Sequence, residues 1–301
     1  MRVTLTGATG RIGGALVAAL HGRGDEVTVL SRNPDTARTT LSVDAVAWRP
    51  ESEPAPVEAL AGRDGVVHMA GEDVAQRWSD DAKRRIRSSR ELGTRNLVAG
   101  LRAADARPGV LVSSSAVGWY GARGDERVDE DVPAADDFLA EACAAWEREA
   151  AAAEALEMRV VRVRTGIVLD RHGGALAKML PFFKLGVGGP VAGGGQWMPW
   201  IHLDDVVGIY LQALDDPAWS GPVNATAPEP VTNKEFSRAL GRALHRPAFA
   251  PVPGLAVRLL YGEMADIVIH GQRAVPARTE ALGYGFRHPA LDEALRDALR
   301  R

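Results

Sequence analysis

Two short stretches of the chain hold the side chains best suited to proton transfer. The first, "VSSSAVGWYG", contains Ser114, Ser115 and Tyr120. The second, "EACAAWERE", contains Cys143, the single cysteine of the chain, and Glu147 one helical turn later. Hydroxyl, phenol, thiol and carboxylate groups can each exchange a proton with a substrate or hydrogen-bond its oxygen. Each side chain also has a structural interpretation: Tyr120 could line a cleft, Glu147 could join a salt bridge, and Cys143 could be a small core residue.

A glycine-rich stretch, "TLTGATGRIGGALVAAL", predicts a binding site for phosphate groups. A β-branched strand runs into three regularly spaced glycines and is followed at once by an apolar helix. Glycines let the backbone turn tightly and approach a pyrophosphate at the helix N-terminus, so a dinucleotide is the predicted ligand. A turn without a ligand is the alternative. The predicted binding residues of this turn are Gly7, Thr9, Gly10, Arg11, Ile12 and Gly13.

The residues after the second predicted strand indicate which dinucleotide binds. Sites selective for NAD usually place a carboxylate there to hydrogen-bond the ribose hydroxyls. In this chain "VLSRNP" places Ser31 and Arg32 instead, a pair that suits a 2′-phosphate. Arg11 in the glycine turn is predicted to add a second positive charge. The predicted cofactor is therefore NADP, and a solvated loop arginine is the alternative interpretation of Arg32.

A further arginine is predicted to point inward from a long helix. In "SDDAKRRIRSSRELGTRNLVAGL" Arg90 shares one helical stripe with apolar residues such as Ile86. An inward arginine needs an anion or several acceptors, and either a cofactor phosphate or a protein carboxylate would serve. The preceding strand ends in "HMAGE", whose small residues would let a ligand lie against the backbone, although close packing explains them nearly as well. The predicted cofactor contacts here are Met69, Ala70, Gly71 and Arg90.

Composition narrows the classes of protein and partner. The chain has 301 residues, of which 46% are hydrophobic and 25% charged, with a formal net charge of -3. These values are ordinary for a globular protein and offer no electrostatic attraction for nucleic acid or an anionic membrane. A single cysteine excludes an internal disulfide, and with no signal peptide or membrane span expected, the predicted location is cytoplasmic. The seven histidines show no metal-binding spacing, so no metal site is predicted.

The elements that must position these side chains alternate along the chain. Six runs have the pattern of buried strands: "RVTLTG", "EVTVLS", "DAVAW", "GVVHMAG", "GVLVSSS" and "MRVVRVRTG". Helical periodicity separates several of them, which predicts an α/β fold with a Rossmann-type, doubly wound parallel sheet. After about residue 170, frequent glycine and proline residues interrupt the alternation of strands and helices, which predicts a smaller, interleaved substrate lobe. The predicted domains are 1–170 for NADP binding, with the sheet completed by about 200–226, and 171–301 for the smaller lobe.

A glycine loop in this second part, "GVGGPVAGGGQWMPW", leads into Trp197, Trp200 and His202. These rings would either close over a substrate or pack between the lobes. Asp204 and Asp205 follow and are predicted to begin the next helix, because acidic side chains are stabilised at the positive end of the helix dipole.

The chain resembles the extended or atypical short-chain dehydrogenase/reductase superfamily, which contains nucleotide-sugar epimerases and dehydratases. The glycine turn, "DGVVHMAGE", "ELGTRNLV", "VSSSAVGWYG" and "PWIHLDDVV" carry the resemblance over nearly the whole chain. The segment "GEDVAQRWSDDAKRRIRSSR" and the tail "IHGQRAVPARTEALGYGFRHPALDEAL" are similar to the YfcH-like epimerase-family proteins, sometimes labelled SulA-like. That resemblance implies NADP along the carboxyl edge of the sheet, with Val168 near the nicotinamide. It also implies a substrate cleft beside the smaller lobe and a family-specific C-terminal segment at about 250–298.

The same resemblance implies an acid/base pair that this chain lacks. Members that transfer hydride carry a serine after the fifth strand and Tyr-x-x-x-Lys on the next helix. Ser114 and Ser115 match the serine, but Cys143 and Glu147 stand at the positions of the tyrosine and the lysine. The candidate catalytic residues are therefore Ser114, Ser115, Tyr120, Cys143 and Glu147.

Two classes of function stay open at this point. One is an NADP-dependent oxidoreductase or epimerase that acts on a small polar or nucleotide-linked substrate. The other is a non-catalytic NADP-binding redox sensor or regulatory protein. The retained serine and the cofactor site favour the first class, and the missing tyrosine and lysine favour the second. The expected partner is a small-molecule substrate, without nucleic acid or membrane, and the sequence indicates no oligomeric state.

Overall fold

The computed structural model describes residues 1–300. In chain order its strands are β1 (Arg2–Thr6), β2 (Glu26–Ser31), β3 (Asp44–Ala47), β4 (Gly65–His68), β5 (Val110–Ala116), β6 (Arg127–Val128), β7 (Arg159–Thr165), β8 (Ile167–Leu169), β9 (Trp197–Met198), β10 (Trp200–His202), β11 (Gly221–Ala225), β12 (Val231–Thr232) and β13 (Arg273–Ala274). Its α-helices are α1 (Arg11–Gly22), α2 (Pro34–Leu41), α3 (Asp80–Ala103), α4 (Phe138–Ala151), α5 (Gly174–Lys184), α6 (Leu203–Asp215), α7 (Asn233–Leu244), α8 (Gly254–Tyr261), α9 (Ala265–Ile269), α10 (Ala277–Ala281) and α11 (Leu291–Arg300).

Seven parallel strands form the central sheet in the order β11-β7-β5-β4-β1-β2-β3. All six predicted strands belong to it, together with β11 from the later segment "GPVNAT". The register aligns Thr6 with Leu30 on β2 and with His68 on β4, so the residues that follow these strands open at one edge of the sheet. This carboxyl edge is where ligands bind in doubly wound folds.

Side chains of the sheet alternate between two apolar layers, because successive strand residues point to opposite faces. One layer packs residues such as Val3 and Val29 against α1, α2 and α6. The other packs Leu111 and Val160 against α3 and α4. Because both faces of the sheet are buried, apolar residues follow one another along these strands and do not alternate with polar ones. The Rossmann-type fold predicted from the sequence is confirmed.

A third apolar core joins β8 and β10 to α5, α7 and α11, and it buries Leu169, Trp200, Phe236 and Leu295. The short strands pair beside it as β8 with β10 and β9 with β12, while β13 returns the C-terminal part of the chain to β6. The helix predicted near Asp204 begins one residue earlier, as α6. The domain limits stay a prediction. Within residues 1–300, every helix is too short or too polar to cross a bilayer.

Candidate functional site

The glycine turn between β1 and α1 forms a cradle of backbone atoms at the carboxyl edge. Gly7 has a φ of 71°, and a Cβ built on it would lie 2.6 Å from the Met69 carbonyl carbon. A Cβ on Gly13 would lie 2.4 Å from the Gly7 carbonyl oxygen. Gly10 is the N-cap of α1 and brings no side chain to the first N–H groups of the helix. The turn can therefore offer helix N–H groups to an anion such as a pyrophosphate.

The other residues of the turn have different surroundings. Thr9 is exposed, while Ile12 is half-buried against the layer that contains α1. Arg11 forms a bidentate ion pair with Asp170, in which Nη2 lies 3.1 Å from Oδ1 and Nε contacts Oδ2. Burial opposes ionisation of Asp170, but the Arg11 contact and the His172 N–H lower its pKa. Because Asp170 offsets the charge of Arg11, the prediction of a second phosphate-binding cation in the turn is not supported.

Ser31 and Arg32 lie at the carboxyl end of β2. The Ser31 hydroxyl accepts the Asn33 backbone N–H at 3.1 Å, which shapes the loop that carries Arg32. Arg32 faces the segment after β4, because its charge is among those that lower the pKa of Glu72 in that segment. The largest cause of that lowered pKa is the hydrogen bond from Gln76. Arg32 is exposed and donates no hydrogen bond to residues 1–300. A guanidinium of this kind can turn towards a phosphate without breaking an ion pair.

The segment after β4 runs beside the glycine turn. The Thr6 hydroxyl on β1 accepts the backbone N–H groups of Met69 and Ala70, each at 3.1 Å. A Cβ on Gly71 would lie 3.3 Å from the guanidinium carbon of Arg90. The predicted contacts Met69, Ala70, Gly71 and Arg90 are thus brought together with Gly7 at one edge, as the sequence predicts.

Arg90 projects from α3 towards this edge. Its Nη1 donates to the carbonyl oxygens of Glu72 and Ile86, each at 3.0 Å, and its guanidinium carbon lies 5.0 Å from the centre of the Trp146 ring. Burial lowers the pKa of Arg90, although the nearby Cys143 and acidic groups oppose this. Among residues 1–300, no carboxylate forms an ion pair with it. The sequence-based alternative of a carboxylate partner is therefore not observed in the described part of the chain.

Ser114 and Ser115 lie near the end of β5, on opposite faces of the sheet. Ser114 Oγ lies 2.5 Å from the hydroxyl of Tyr210 on α6, and burial raises the pKa of that phenol to about 12. Ser115 faces α4 instead, and its Oγ donates to the Glu147 carboxylate at 2.7 Å. The two neighbouring serines therefore join different networks, and only Ser115 meets the candidate residues of α4.

Glu147 and Arg164 form a bidentate ion pair inside the protein. Arg164 Nε and Nη2 lie 2.8 and 3.0 Å from the Glu147 oxygens, and both side chains are 3% exposed. The register of β5 and β7 places Arg164 opposite Ser115. Arg164 also stacks on Trp119, 3.8 Å from the ring centre. A proton on Glu147 would leave the buried charge of Arg164 uncompensated, so the structure does not support Glu147 as a general base.

Tyr120 is fully buried. Its hydroxyl donates to Asn224 Oδ1 at 2.7 Å and accepts from Arg164 Nη1 at 3.1 Å. Burial raises the pKa of Tyr120 to about 12, although Arg164 and Asn224 oppose the shift. The phenol is held between β7 and β11 by these contacts, so the structure does not support Tyr120 as a proton donor to a substrate.

Cys143 is 4% exposed on α4, with its Sγ 3.8 Å from the Ala116 carbonyl oxygen. Burial raises the pKa of its thiol to about 11, and the charge of Glu147 acts in the same direction. A thiol that stays protonated near neutral pH is a weak nucleophile, so this geometry favours a small core residue. Val168 is half-buried on β8, opposite Ile201 on β10, and its contact with a nicotinamide stays a prediction.

Comparison with known proteins shows which family the chain belongs to. The model of the NAD dependent epimerase/dehydratase family matches residues 3–225, which is most of the chain. The chain belongs to the NAD-dependent epimerase/dehydratase family. A second model, a domain of unknown function (DUF1731), matches residues 252–298. The resemblance to extended short-chain dehydrogenases/reductases is thereby confirmed.

The similarity to other proteins covers nearly the whole length of this epimerase-family chain. It is 40% identical to the epimerase family protein SDR39U1 homolog, chloroplastic, of Arabidopsis thaliana, over 98% of this chain and 86% of that protein. The structure of human epimerase family protein SDR39U1 with NADPH has a TM-score of 0.88 and 34% identity, and it covers 100% of both chains. A nucleoside-diphosphate sugar epimerase from Corynebacterium glutamicum has a TM-score of 0.79 and 36% identity, over 99% of this chain and 58% of that chain.

Two members of the buried network in this epimerase-family protein are absent from the sequence-based candidates, namely Arg164 and Asn224. A signal for Arg164 exists, because "RVVRVRTG" places arginines within an otherwise apolar strand and a buried charge needs a partner. Arg164 follows Glu147 by 17 residues and lies on a different element, so sequence spacing does not identify this partner, which follows from strand register. Asn224 has no local signal, since its role depends on β11 lying beside β7.

Proposed function

We propose that this epimerase-family protein binds NADPH along the carboxyl edge of β1, β2 and β4. The support is the glycine cradle, in which side chains at Gly7 and Gly13 would collide with backbone, and the α1 N-terminus that Gly10 leaves open to an anion. Arg32 is assigned to the 2′-phosphate, and Arg90 to an anionic group of the cofactor. The human SDR39U1 structure, solved with NADPH, supports the choice of dinucleotide.

Replacement of Arg32 by alanine is expected to remove most of the preference for NADPH over NADH. In the unchanged protein we expect NADPH to bind at least about tenfold more tightly, or about 1.4 kcal/mol, because only NADPH carries the 2′-phosphate that Arg32 would contact. Fluorescence titration with both dinucleotides measures the two affinities.

The matched control is Arg38→Ala. Arg38 is an arginine on the adjacent helix α2 that pairs with Asp35, and its loss should leave the preference unchanged. Equal affinity of the unchanged protein for NADPH and NADH would contradict the proposal.

We further propose an oxidoreductase or epimerase reaction on a small polar or nucleotide-linked substrate. The single observation that carries this proposal is the contact between Ser115 and the buried Glu147–Arg164 pair. Donation of the Ser115 proton to Glu147 leaves the Oγ lone pairs to accept a hydrogen bond from a substrate hydroxyl. The ion pair with Arg164 holds the Glu147 carboxylate, and thereby the serine hydroxyl, in one orientation. Bound NADPH supplies hydride chemistry at its nicotinamide.

The substrate is proposed to lie between the carboxyl edge and the lobe formed by residues 171–301. The name of the Corynebacterium glutamicum neighbour, a nucleoside-diphosphate sugar epimerase, supports a nucleotide-linked substrate. A small molecule is thus the proposed partner, without nucleic acid or membrane. The single cysteine, which cannot form an internal disulfide, supports a cytoplasmic location.

Replacement of Ser115 by alanine is expected to lower turnover by about tenfold or more, because the hydrogen bond to the reacting oxygen is lost. NADPH affinity should not change. Turnover is measured by NADPH absorbance across a panel of carbonyl compounds and nucleotide sugars.

Cys143→Ala is the matched control, since Cys143 is buried beside the same network and its thiol stays protonated. It should retain most turnover. Abolished turnover in Cys143→Ala, with folding and cofactor affinity intact, would instead make the thiol a participant in the reaction.

A second function, a non-catalytic NADPH-binding redox sensor or regulatory protein, is favoured by one observation. Glu147, which the resemblance places at the lysine position with Cys143 at the tyrosine position, is paired with Arg164. Binding of NADPH without turnover on the whole panel would select this function over the enzyme.

A further inference from the structure

Four metal-ligating side chains from distant parts of the chain meet beside the third core. They are His202 at the end of β10, Asp204 in the first turn of α6, His288 between α10 and α11, and Asp297 on α11. One ligand atom from each residue lies within 4.8 Å of the others. His202 is buried, and the other three are partly buried. This cluster is separate from the glycine turn and from the Ser115 network.

The distances within the cluster approach those of a tetrahedral metal site. His202 Nε2 lies 3.2 Å from Asp297 Oδ2, and His288 Nε2 lies 3.6 Å from Asp204 Oδ2. Zinc bonds to nitrogen and oxygen of about 2.0–2.2 Å place neighbouring ligand atoms roughly 3.3–3.6 Å apart. The His202 Nδ1 accepts the Asp204 backbone N–H at 3.2 Å, so Nε2 is the nitrogen of this ring that is directed at the cluster. All four ligand atoms lie within 4.8 Å of one another, so rotations of the side chains would bring them around one ion.

A neighbouring carboxylate fixes the segment that carries His288. Asp205 is fully buried and accepts the backbone N–H of Arg287 at 2.7 Å, the N–H of His288 at 3.0 Å and the Tyr284 hydroxyl at 3.2 Å. These bonds fasten the segment before α11 to the first turn of α6, which also carries Asp204. Contacts behind the ligands orient them in advance of metal binding, and such contacts accompany most protein metal sites.

The donor set selects a class of ion. Two carboxylates offset the charge of a divalent cation, and imidazole nitrogens favour zinc and its transition-metal neighbours over magnesium or calcium, which prefer oxygen. The two imidazole rings stack with their centres 3.8 Å apart, so one ring must turn away from the other for both nitrogens to bind one ion. We propose that His202, Asp204, His288 and Asp297 bind one divalent transition-metal ion, with Zn²⁺ the best fit, and that it fastens α11 to the start of α6.

This site departs from the sequence-based expectation of no metal, because its ligands come from separate segments and show no common spacing. It does not depend on NADPH binding, so the two proposals can fail independently. The role inferred is structural: the ion would join the C-terminal helix to the strand and helix that end the main fold.

The test uses the full-length protein without a histidine tag, stripped with a chelator and titrated with ZnSO₄ by calorimetry. We expect one ion per chain and a rise of several degrees in the midpoint of thermal unfolding at saturating zinc. Co²⁺ in place of zinc should give the intense visible absorption of a tetrahedral site. His288→Ala and Asp297→Asn should each weaken zinc binding at least about a hundredfold, because loss of an outer contact alone costs 10- to 100-fold.

The matched control is His270→Ala. His270 and Asp266 form an exposed histidine–carboxylate pair at 3.7 Å elsewhere on the chain, and its loss should not alter zinc affinity. Asp297→Asn is nearly isosteric and lies on a partly exposed helix position, so it keeps the test valid if His288→Ala does not fold. Absence of stoichiometric zinc binding, or affinity unchanged in either ligand variant, would overturn the proposal and leave a hydrogen-bonded polar cluster.

Discussion

Replacement of Gly13 by alanine is expected to weaken NADPH binding at least about a hundredfold, or about 2.7 kcal/mol. The added Cβ would lie 2.4 Å from the Gly7 carbonyl oxygen and 2.7 Å from the Ala8 Cα. Both neighbours are backbone atoms, so the turn itself must move to relieve the collision. Such a movement displaces the N–H groups at the start of α1, and a displacement of about 1 Å in a binding group can cost a hundredfold.

Gly14→Ala is a matched control in the same helix. Its Cβ would meet nothing closer than the Ala8 carbonyl oxygen at 3.7 Å, an ordinary contact. Alanine also favours the helical conformation over glycine, so the fold should be retained or slightly stabilised. Fluorescence titration gives the NADPH affinity of each variant, and circular dichroism verifies folding. A Gly13→Ala protein with unchanged affinity, or an equal loss in Gly14→Ala, would show that this turn does not hold the cofactor.

Replacement of Glu147 by alanine is expected to lower the free energy of unfolding by about 3–5 kcal/mol, because it leaves the Arg164 charge buried without a partner. Both side chains are 3% exposed, so water cannot replace the lost carboxylate. Ser115 would lose its acceptor at the same time. Urea denaturation followed by fluorescence measures the change.

Two comparisons identify the cause of this loss. Glu149→Ala removes an acid of the same helix that pairs with Arg95 at 2.8 Å, but Arg95 is 51% exposed, so we expect a much smaller loss than for Glu147→Ala. The double change Glu147→Leu with Arg164→Met removes both charges and should recover most of the stability. A small effect of Glu147→Ala, similar to that of Glu149→Ala, would contradict a desolvated ion pair.

The Rossmann fold and the glycine turn at its carboxyl edge could be predicted from the sequence, because their signals are local. The strand "EVTVLS" is recognised by its own β-branched residues, and the sheet buries it on both faces. Gly7 and Gly13 are recognised by their spacing between a strand and a helix, and in the structure a Cβ on either would meet backbone atoms, those of Met69 after β4 or of the turn itself. The inward direction of Arg90 follows from helical spacing alone.

Only the tertiary structure decided which partners the buried charges take. The sequence alone permits Glu147 as a base, whereas strand register places Arg164 opposite Ser115 and within reach of α4. Arg11 carries a charge in the expected turn, but Asp170, which follows β8, offsets it. Local sequence sets the conformation of a segment, whereas the pairing of two charges depends on which distant segments pack together.

The two halves of the molecule differ in how much of their structure local sequence can predict. In the first half, one βαβ unit carries its glycine turn in a few consecutive residues, so composition and spacing are sufficient to predict the turn. Around α11, His202 and His288 meet only because β10, α6 and the segment before α11 pack against each other. No spacing along the chain predicts that these histidines are close together, because their proximity depends on how distant segments pack.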